Sequence, residues 1–429
     1  MIIRRKILNT RENFKNIKLF PIYKLFAYDL LFYYAVQMLF LHNIKGISIS
    51  NIVLLNSIYC AFQMIFQIPA SLVVDKIGYK KCIITGNVFC TTAIITYILS
   101  NSFGTVMFGD FQLALGFALK SVSESPFLFT VMKKEHLESN SAKVEAKGSS
   151  LYFYTEAFAS ILSGYLYIVS PYIPVVLCAL AMLTSTLISI RFNDASIIKN
   201  EKERLSKEDY FSDMKHSFKF IFKSHRLKAL LVFSCLFAGV MAVASNFSKA
   251  FMTDIGISSI VFGIITSALS IISAIGSTYQ DKFESKRKKK TLSYISIIYI
   301  GVFMFVGISH LIGFNTKILL SIGFLVFALQ SFFKGSYRVI MKKYLNNFTT
   351  SSIRPKIMSV YYLSEMLGTF VLLFLASKML DVVDIGIAYI VFGVLFMMLI
   401  LITLEYMSTR LGLKPEQYEE KDIKYKTIK

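Results

Sequence analysis

Ser71-Leu72-Val73-Val74-Asp75-Lys76-Ile77-Gly78-Tyr79-Lys80-Lys81 is a short basic interruption between two apolar runs, and it occurs twice. The degraded copy is Ser277-Thr278-Tyr279-Gln280-Asp281-Lys282-Phe283-Glu284-Ser285-Lys286-Arg287, an offset of 206. Three more matches follow in the same order. Phe117-Ala118-Leu119-Lys120-Ser121 returns as Phe327-Ala328-Leu329-Gln330-Ser331 at an offset of 210, and Met132-Lys133-Lys134 returns as Met341-Lys342-Lys343. Ser150-Leu151-Tyr152-Phe153-Tyr154-Thr155-Glu156 returns as Ser359-Val360-Tyr361-Tyr362-Leu363-Ser364-Glu365, these last two at an offset of 209. One match in so biased a composition carries little. Four, with offsets within four residues of one another, point to duplication of a single unit.

Composition says what the unit is made of. Of 429 residues, 55% are hydrophobic and only 17% charged, and the mean hydropathy is +0.58. A soluble domain has about 25% charged and 45–50% apolar residues, and no water-soluble core of this size hides such an excess. Soluble enzymes, disordered tails and disulfide scaffolds are excluded together. Apolar runs centred near 31, 62, 91, 117, 160, 182, 239, 268, 302, 328, 367 and 395 give twelve candidate spans. At ~20 residues each they use ~240 residues. The repeat then divides the chain into an N-terminal six-helix bundle (1–190), a basic linker (191–228) and a C-terminal six-helix bundle with a short tail (229–429). Parallel repeats of this kind mark transporters.

The net charge of +21 suggests nucleic acid until its distribution is read. Of the 47 Lys and Arg, 39 fall in one alternating set of loops and both termini. The opposite loops hold only Lys45, Lys249, Lys317 and Lys378, and Lys24, Lys120, Lys334 and Arg338 lie within spans. Short cytoplasmic loops favour Lys and Arg, so both termini are expected inside and anionic lipid is the expected polyanion. Arg4, Arg5, Lys6 and Arg11 precede a first apolar run containing Asp29, with no small-residue cleavage site, so a retained first span is expected. The five cysteines have no CxxC spacing and read as small buried hydrophobes. The five histidines are scattered and no phosphate-binding loop is present, so no metal, cofactor or enzymatic chemistry is expected.

At this point the chain resembles the major facilitator superfamily over essentially its whole length. The carrying motif joins spans 2 and 3 and reads approximately Gly-x-x-x-Asp-x-x-Gly-Arg-Arg/Lys-Lys/Arg. Asp75, Gly78, Lys80 and Lys81 match it, whereas Ser71 and Tyr79 depart from it. The copy with Asp281 and Lys286 stands where the family also carries one. Gln112 replaces the Arg four residues before Gly116 in span 4, and Ile161-Leu162-Ser163-Gly164-Tyr165 lacks the Gly-Pro antiporter pattern of span 5. The resemblance implies that spans 1, 4, 7 and 10 line a central cavity, that 2, 5, 8 and 11 form the seam between halves, and that 3, 6, 9 and 12 face lipid. It also gives Asp75 a mechanical role in holding the halves together; Lys80 and Lys81 share it or are ordinary positive-inside residues.

A charge at the centre of a span costs at least ~2.5 kcal/mol on insertion scales, so each is a functional candidate. They are Asp29, Asp110, Lys120, Glu124, Glu156, Lys334, Arg338 and Glu365, with Lys24 beginning span 1 and expected to snorkel. At ~1.5 Å per residue, Glu124, Glu156, Lys334 and Glu365 share one depth, with Lys120 deeper and Arg338 near the rim. Together these six read as a cytoplasmic gate of opposite charges. Alternatively Lys120 and Glu124, spaced i,i+4, neutralise each other, and Glu156 and Glu365 are structural pairs or caps. Asp29 reads as a proton-coupling carboxylate or as the partner of a cavity lysine. Asp110, near the outer end of its span, is expected to be solvated. Tyr33, Gln37, Gln63, Asn246 and Gln330 are cavity candidates that contact substrate or else bond helix to helix.

The sequence therefore predicts an all-α membrane protein with twelve spans in two pseudo-symmetric six-helix bundles. The expected function is secondary active transport by alternating access, proton-coupled export of an amphiphilic, drug- or toxin-like organic compound. Proton-coupled uptake of a small polar metabolite is the alternative, and a non-transporting membrane enzyme or sensor is the alternative of another class. The expected partners are a small-molecule substrate, a proton and membrane lipid, with no nucleic acid. The chain is expected to be a monomer in the plasma membrane.

Overall fold

The computed structural model describes residues 2–137, 140–193, 224–287, 290–347 and 354–411. Most of the linker expected at 191–228, the tail beyond 411 and the Asp75 side chain lie outside the described residues. Among those described the fold is all-α. The helices are α1 (Ile2–Ala27), α2 (Tyr33–Leu39), α3 (Ile49–Ile77), α4 (Tyr79–Leu99), α5 (Phe103–Ser121), α6 (Glu124–Lys134) and α7 (Ser141–Val169). They continue with α8 (Tyr172–Ile190), α9 (His225–Asp254), α10 (Ser259–Arg287), α11 (Thr291–Leu311), α12 (Thr316–Asn347), α13 (Arg354–Leu380) and α14 (Ile385–Leu411).

Nine of them, α3, α4 and α8 to α14, are long and apolar enough to cross a bilayer unaided. The other three crossings contain the interruptions or the charges. Span 1 is α1 followed by α2, which runs on into a π-helical turn at Phe40–Ile44. Span 4 is α5 followed by α6, and span 5 is α7. Helices satisfy their own backbone groups, which hydrocarbon demands. Large apolar side chains such as Phe158, Leu183, Leu325, Met398 and Ile402 stand exposed. In water such a surface drives association; against lipid tails it is at home.

Two compact units interleave along the chain. One holds Met1–Ile47, Ala61–Arg204 and Ser258–Ser267, and the other holds Ser48–Cys60, Leu205–Ile257 and Ala268–Lys429. Helices α3 and α10 are thus each shared out between the units, which a simple division at the linker does not anticipate. In the second unit, Asn56 Nδ2 of α3 donates to Asn246 Oδ1 of α9 at 2.7 Å, and Ser57 Oγ donates to the Phe370 carbonyl of α13 at 2.8 Å. In the first, Ser259 Oγ of α10 donates to the Gly164 carbonyl of α7 at 2.9 Å.

Packing repeats as the sequence does. In the first unit α4 lies against α5 and α8, and α1 lies against α7 and α8. In the second, α11 lies against α12 and α14, and α9 lies against α13 and α14. These are the same pairs, six spans apart. One asymmetry stands out: spans 7 and 10 run unbroken as α9 and α12, whereas their counterparts, spans 1 and 4, are each broken.

Candidate functional site

The break in span 1 begins at Asp29. Its Oδ1 accepts the Leu30 amide at 2.8 Å and its carbonyl accepts the Leu31 amide at 3.1 Å. An aspartate that bonds neighbouring backbone competes with the helical ladder. Phe32 then takes φ +66°, a left-handed conformation that a bulky residue adopts only where its surroundings impose it. Its carbonyl is held by Ser163 Oγ at 2.9 Å. The ladder of α1 therefore stops here, its last backbone bond running from the Tyr28 amide to the Lys24 carbonyl at 3.0 Å.

The break in span 4 has a different local cause. Pro126 lacks an amide hydrogen and cannot continue the ladder of α5, but it fits the first turn of a new helix, where that donor has no partner anyway. Ser123 donates its hydroxyl to the Leu119 carbonyl at 2.5 Å, closing α5, and Glu124 opens α6. An acidic first residue suits the positive end of the new helix.

These two ends meet in a buried cluster. The Lys120 ammonium donates to the Ala27 carbonyl, the last residue of α1, and lies over the Phe117 ring, 4.6 Å from its centroid. Glu124 Oε2 takes the Lys24 ammonium in an ion pair, and Oε1 accepts the Tyr23 hydroxyl at 2.6 Å. Asn87 Nδ2 of α4 donates to that same hydroxyl at 3.1 Å. Lys24, Lys120, Glu124, Tyr23 and Asn87 are all buried. Two cations and one carboxylate thus occupy the gap, with half-buried Asp29 in the adjoining break.

Three expectations need correction. Lys120 and Glu124 are not a direct i,i+4 pair on one helix, because the helix stops between them and each has another hydrogen-bonding partner, although the Lys120 charge still acts on Glu124. Lys24 does not snorkel; Glu124 holds it inside. Asp110 is not solvated, being buried with the Tyr97 hydroxyl on Oδ1 at 2.5 Å. Tyr23 and Asn87 were missed altogether. Their partners lie 64 to 101 residues away, a separation that no local spacing reveals. Two glycines are also part of the site. A Cβ on Gly86 would stand 2.9 Å from Lys120 Cγ, and one on Gly148 would stand 2.7 Å from Lys24 Cβ, so each glycine leaves the path for a lysine stem.

The remaining candidates are placed as follows. Glu156 is buried on α7. On α13, Glu365 Oε1 accepts the Tyr361 hydroxyl at 2.5 Å. Lys334 is half-buried on α12 and Arg338 exposed. Tyr33 is enclosed, stacked on Tyr97 with ring centroids 5.5 Å apart. Gln330 Nε2 donates to the Tyr299 carbonyl at 3.1 Å, and Asn246 is tied to Asn56, so both bond helix to helix in this conformation. Gln37 and Gln63 are half-buried. Gly78 takes φ +85° between α3 and α4, with Lys80 and Lys81 at the start of α4. Among the described residues no group of three His, Cys, Asp or Glu is placed to hold a metal ion.

A discontinuous span whose half-helix ends gather charge in the membrane is the architecture in which transporters place substrate and coupling ions. Comparison with known proteins agrees with the fold. The chain is 22% identical over 244 residues, 56% of its length, to an uncharacterized MFS-type transporter, YxaM, of Bacillus subtilis (strain 168). The match spans 60% of that relative's length. Among solved structures, the nucleoside transporter NupG superposes with a TM-score of 0.68 at 11% identity, covering 92% of this chain and 98% of that one. A bacterial homologue of the human lysosomal transporter Spinster, inward-facing and unoccupied, gives 0.67 at 11% identity over 96% and 98%. A POT family transporter in complex with a thioalcohol-conjugated peptide gives 0.64 at 13% identity over 94% and 96%. The Major Facilitator Superfamily model matches residues 25–328, and with most of its length so matched the chain belongs to that superfamily of multi-pass membrane transporters.

Proposed function

We propose that the protein is a secondary active transporter that works by alternating access and couples export of an amphiphilic organic compound to a proton gradient. The observation that carries this reading is the buried cluster at the paired breaks of spans 1 and 4, with Asp29 in the unwound segment. Unwound backbone and half-helix ends give a mobile cargo or proton a place at membrane depth, which an uninterrupted helix does not. Asp29 is the proposed coupling residue. Lys120, Glu124, Glu156, Lys334, Arg338 and Glu365 are the proposed gate charges, exchanging partners as the cavity changes sides. Asp75, Gly78, Lys80 and Lys81 are the proposed mechanical loop, and Tyr33, Gln37, Gln63, Asn246 and Gln330 the polar and aromatic groups offered to substrate. We place the chain in the plasma membrane as a monomer with both termini cytoplasmic.

The density of Phe and Met, 39 and 17 residues, supports an amphiphilic cargo. The concentration of charge at the breaks supports a second reading, proton-coupled uptake of a small polar metabolite. Asp29→Asn tests the coupling role in proteoliposomes carrying a trapped pH-sensitive dye. The variant is expected to fold and to lose substrate-dependent proton movement; undiminished proton movement removes Asp29 from that role.

A further inference from the structure

Asp110 belongs to none of the groups at the helix breaks, and its surroundings are of another kind. It lies in the first half of α5 and is 7% exposed. Oδ1 accepts the Tyr97 hydroxyl of α4 at 2.5 Å, whereas Oδ2 is enclosed with no hydrogen-bond partner. The Tyr33 hydroxyl of α2 is likewise enclosed and unpartnered. The Tyr33 and Tyr97 rings stack 5.5 Å apart, and the Asp110 carboxyl is close enough to act electrostatically on Tyr33. Two orphaned polar atoms thus flank Tyr97, one on the carboxyl its hydroxyl bonds and one on the ring it stacks against.

The charged and titratable neighbours are few and otherwise engaged. At the end of the same aromatic run, Lys45 donates to the Ile98 carbonyl at 2.7 Å and lies over the Phe40 and Tyr172 rings at 5.3 and 5.2 Å. From α8 the Cys178 thiol faces the Tyr33 backbone amide. The Asp29 carboxyl acts on that same thiol, and its Oδ1 accepts the Leu30 amide at 2.8 Å. Among the described residues no cation pairs with Asp110. An isolated ionised carboxylate is very costly in such a place, and one hydroxyl donor does not compensate it. Two free oxygens also fall far short of the six or more that Ca²⁺ or Mg²⁺ requires. A proton on Oδ2 resolves both vacancies: it turns the orphan acceptor into a donor, and the Tyr33 oxygen accepts it directly or through one water.

We propose that Asp110, Tyr97 and Tyr33 form a proton-binding site built into the first unit, separate from the Asp29 carboxyl and from the Lys24–Glu124–Lys120 cluster. It stands whether or not Asp29 couples transport. The test needs no substrate. Infrared spectra of the purified full-length protein in lipid nanodiscs are recorded in H2O and D2O across a pH series, for wild type, Asp110→Asn, Tyr97→Phe and Tyr33→Phe. The wild type is expected to show a protonated-carboxyl carbonyl stretch, shifted in D2O, that is lost in Asp110→Asn and displaced in both tyrosine variants. Identical carboxyl bands in wild type and Asp110→Asn overturn the proposal. So does a band abolished by sodium at constant pH, which makes the site a metal-ion site. If Asp110→Asn fails to fold, the tyrosine variants decide: a displaced band supports the site and an unmoved band in both rejects it.

Discussion

The ammonium of Lys120, at the end of one broken helix, donates to the carbonyl of Ala27, the end of another. The two interruptions are thereby one construction, since the cation closing α5 caps the last carbonyl of α1. A lysine at a helix C-terminus also meets the negative end of the helix dipole.

Lys120→Met removes that cap and leaves the Ala27 carbonyl enclosed. A hydrogen bond from a charged group contributes about 1.5–3 kcal/mol, and a loss of that size is expected in detergent thermal melts. Substrate flux should fall at least tenfold. Stability and flux equal to wild type would show the contact to be incidental.

Glu124→Gln strands the buried Lys24 ammonium, and breaking a buried pair in this way costs about 3–5 kcal/mol. Lys24→Met should strand the carboxylate at similar cost. The double variant Lys24→Met, Glu124→Gln should lose much less than the sum of the two single losses, giving a large coupling in a double-mutant cycle. Additive losses would mean that the pair does not act as a unit.

Gly86→Ala places a methyl 2.8 Å from the Gly116 carbonyl and 2.9 Å from Lys120 Cγ. Neither the facing backbone nor a buried stem yields freely, and overpacking of this kind costs about 1–3 kcal/mol. The variant should share the transport defect of Lys120→Met. A melting temperature at or above wild type would place Lys120 on another path.

The twelve spans and their duplication were legible because they rest on local hydropathy and on spacing that duplication preserves. The break in span 4 was also written in the chain: Ser121-Val122-Ser123-Glu124-Ser125-Pro126 is a helix-start pattern set inside an apolar run. The hydropathy around it concealed the signal. The break at Asp29 has no Gly or Pro to announce it, since the left-handed Phe32 is held by Ser163 from another span. Lys24 with Glu124, and Tyr97 with Asp110, depend on which helix faces which. Asp110 was misjudged because depth along a span says nothing of enclosure by neighbouring aromatic rings.

Gradient-driven movement of a solute is read out in everted membrane vesicles. A panel of amphiphilic organic compounds and small polar metabolites is offered to vesicles with and without the chain, before and after a proton uncoupler. At least one amphiphilic compound is expected to accumulate inside everted vesicles only when the chain is present, and the uncoupler is expected to abolish this accumulation. Accumulation that survives the uncoupler would contradict proton coupling, and no chain-dependent movement of any compound would contradict the transporter itself.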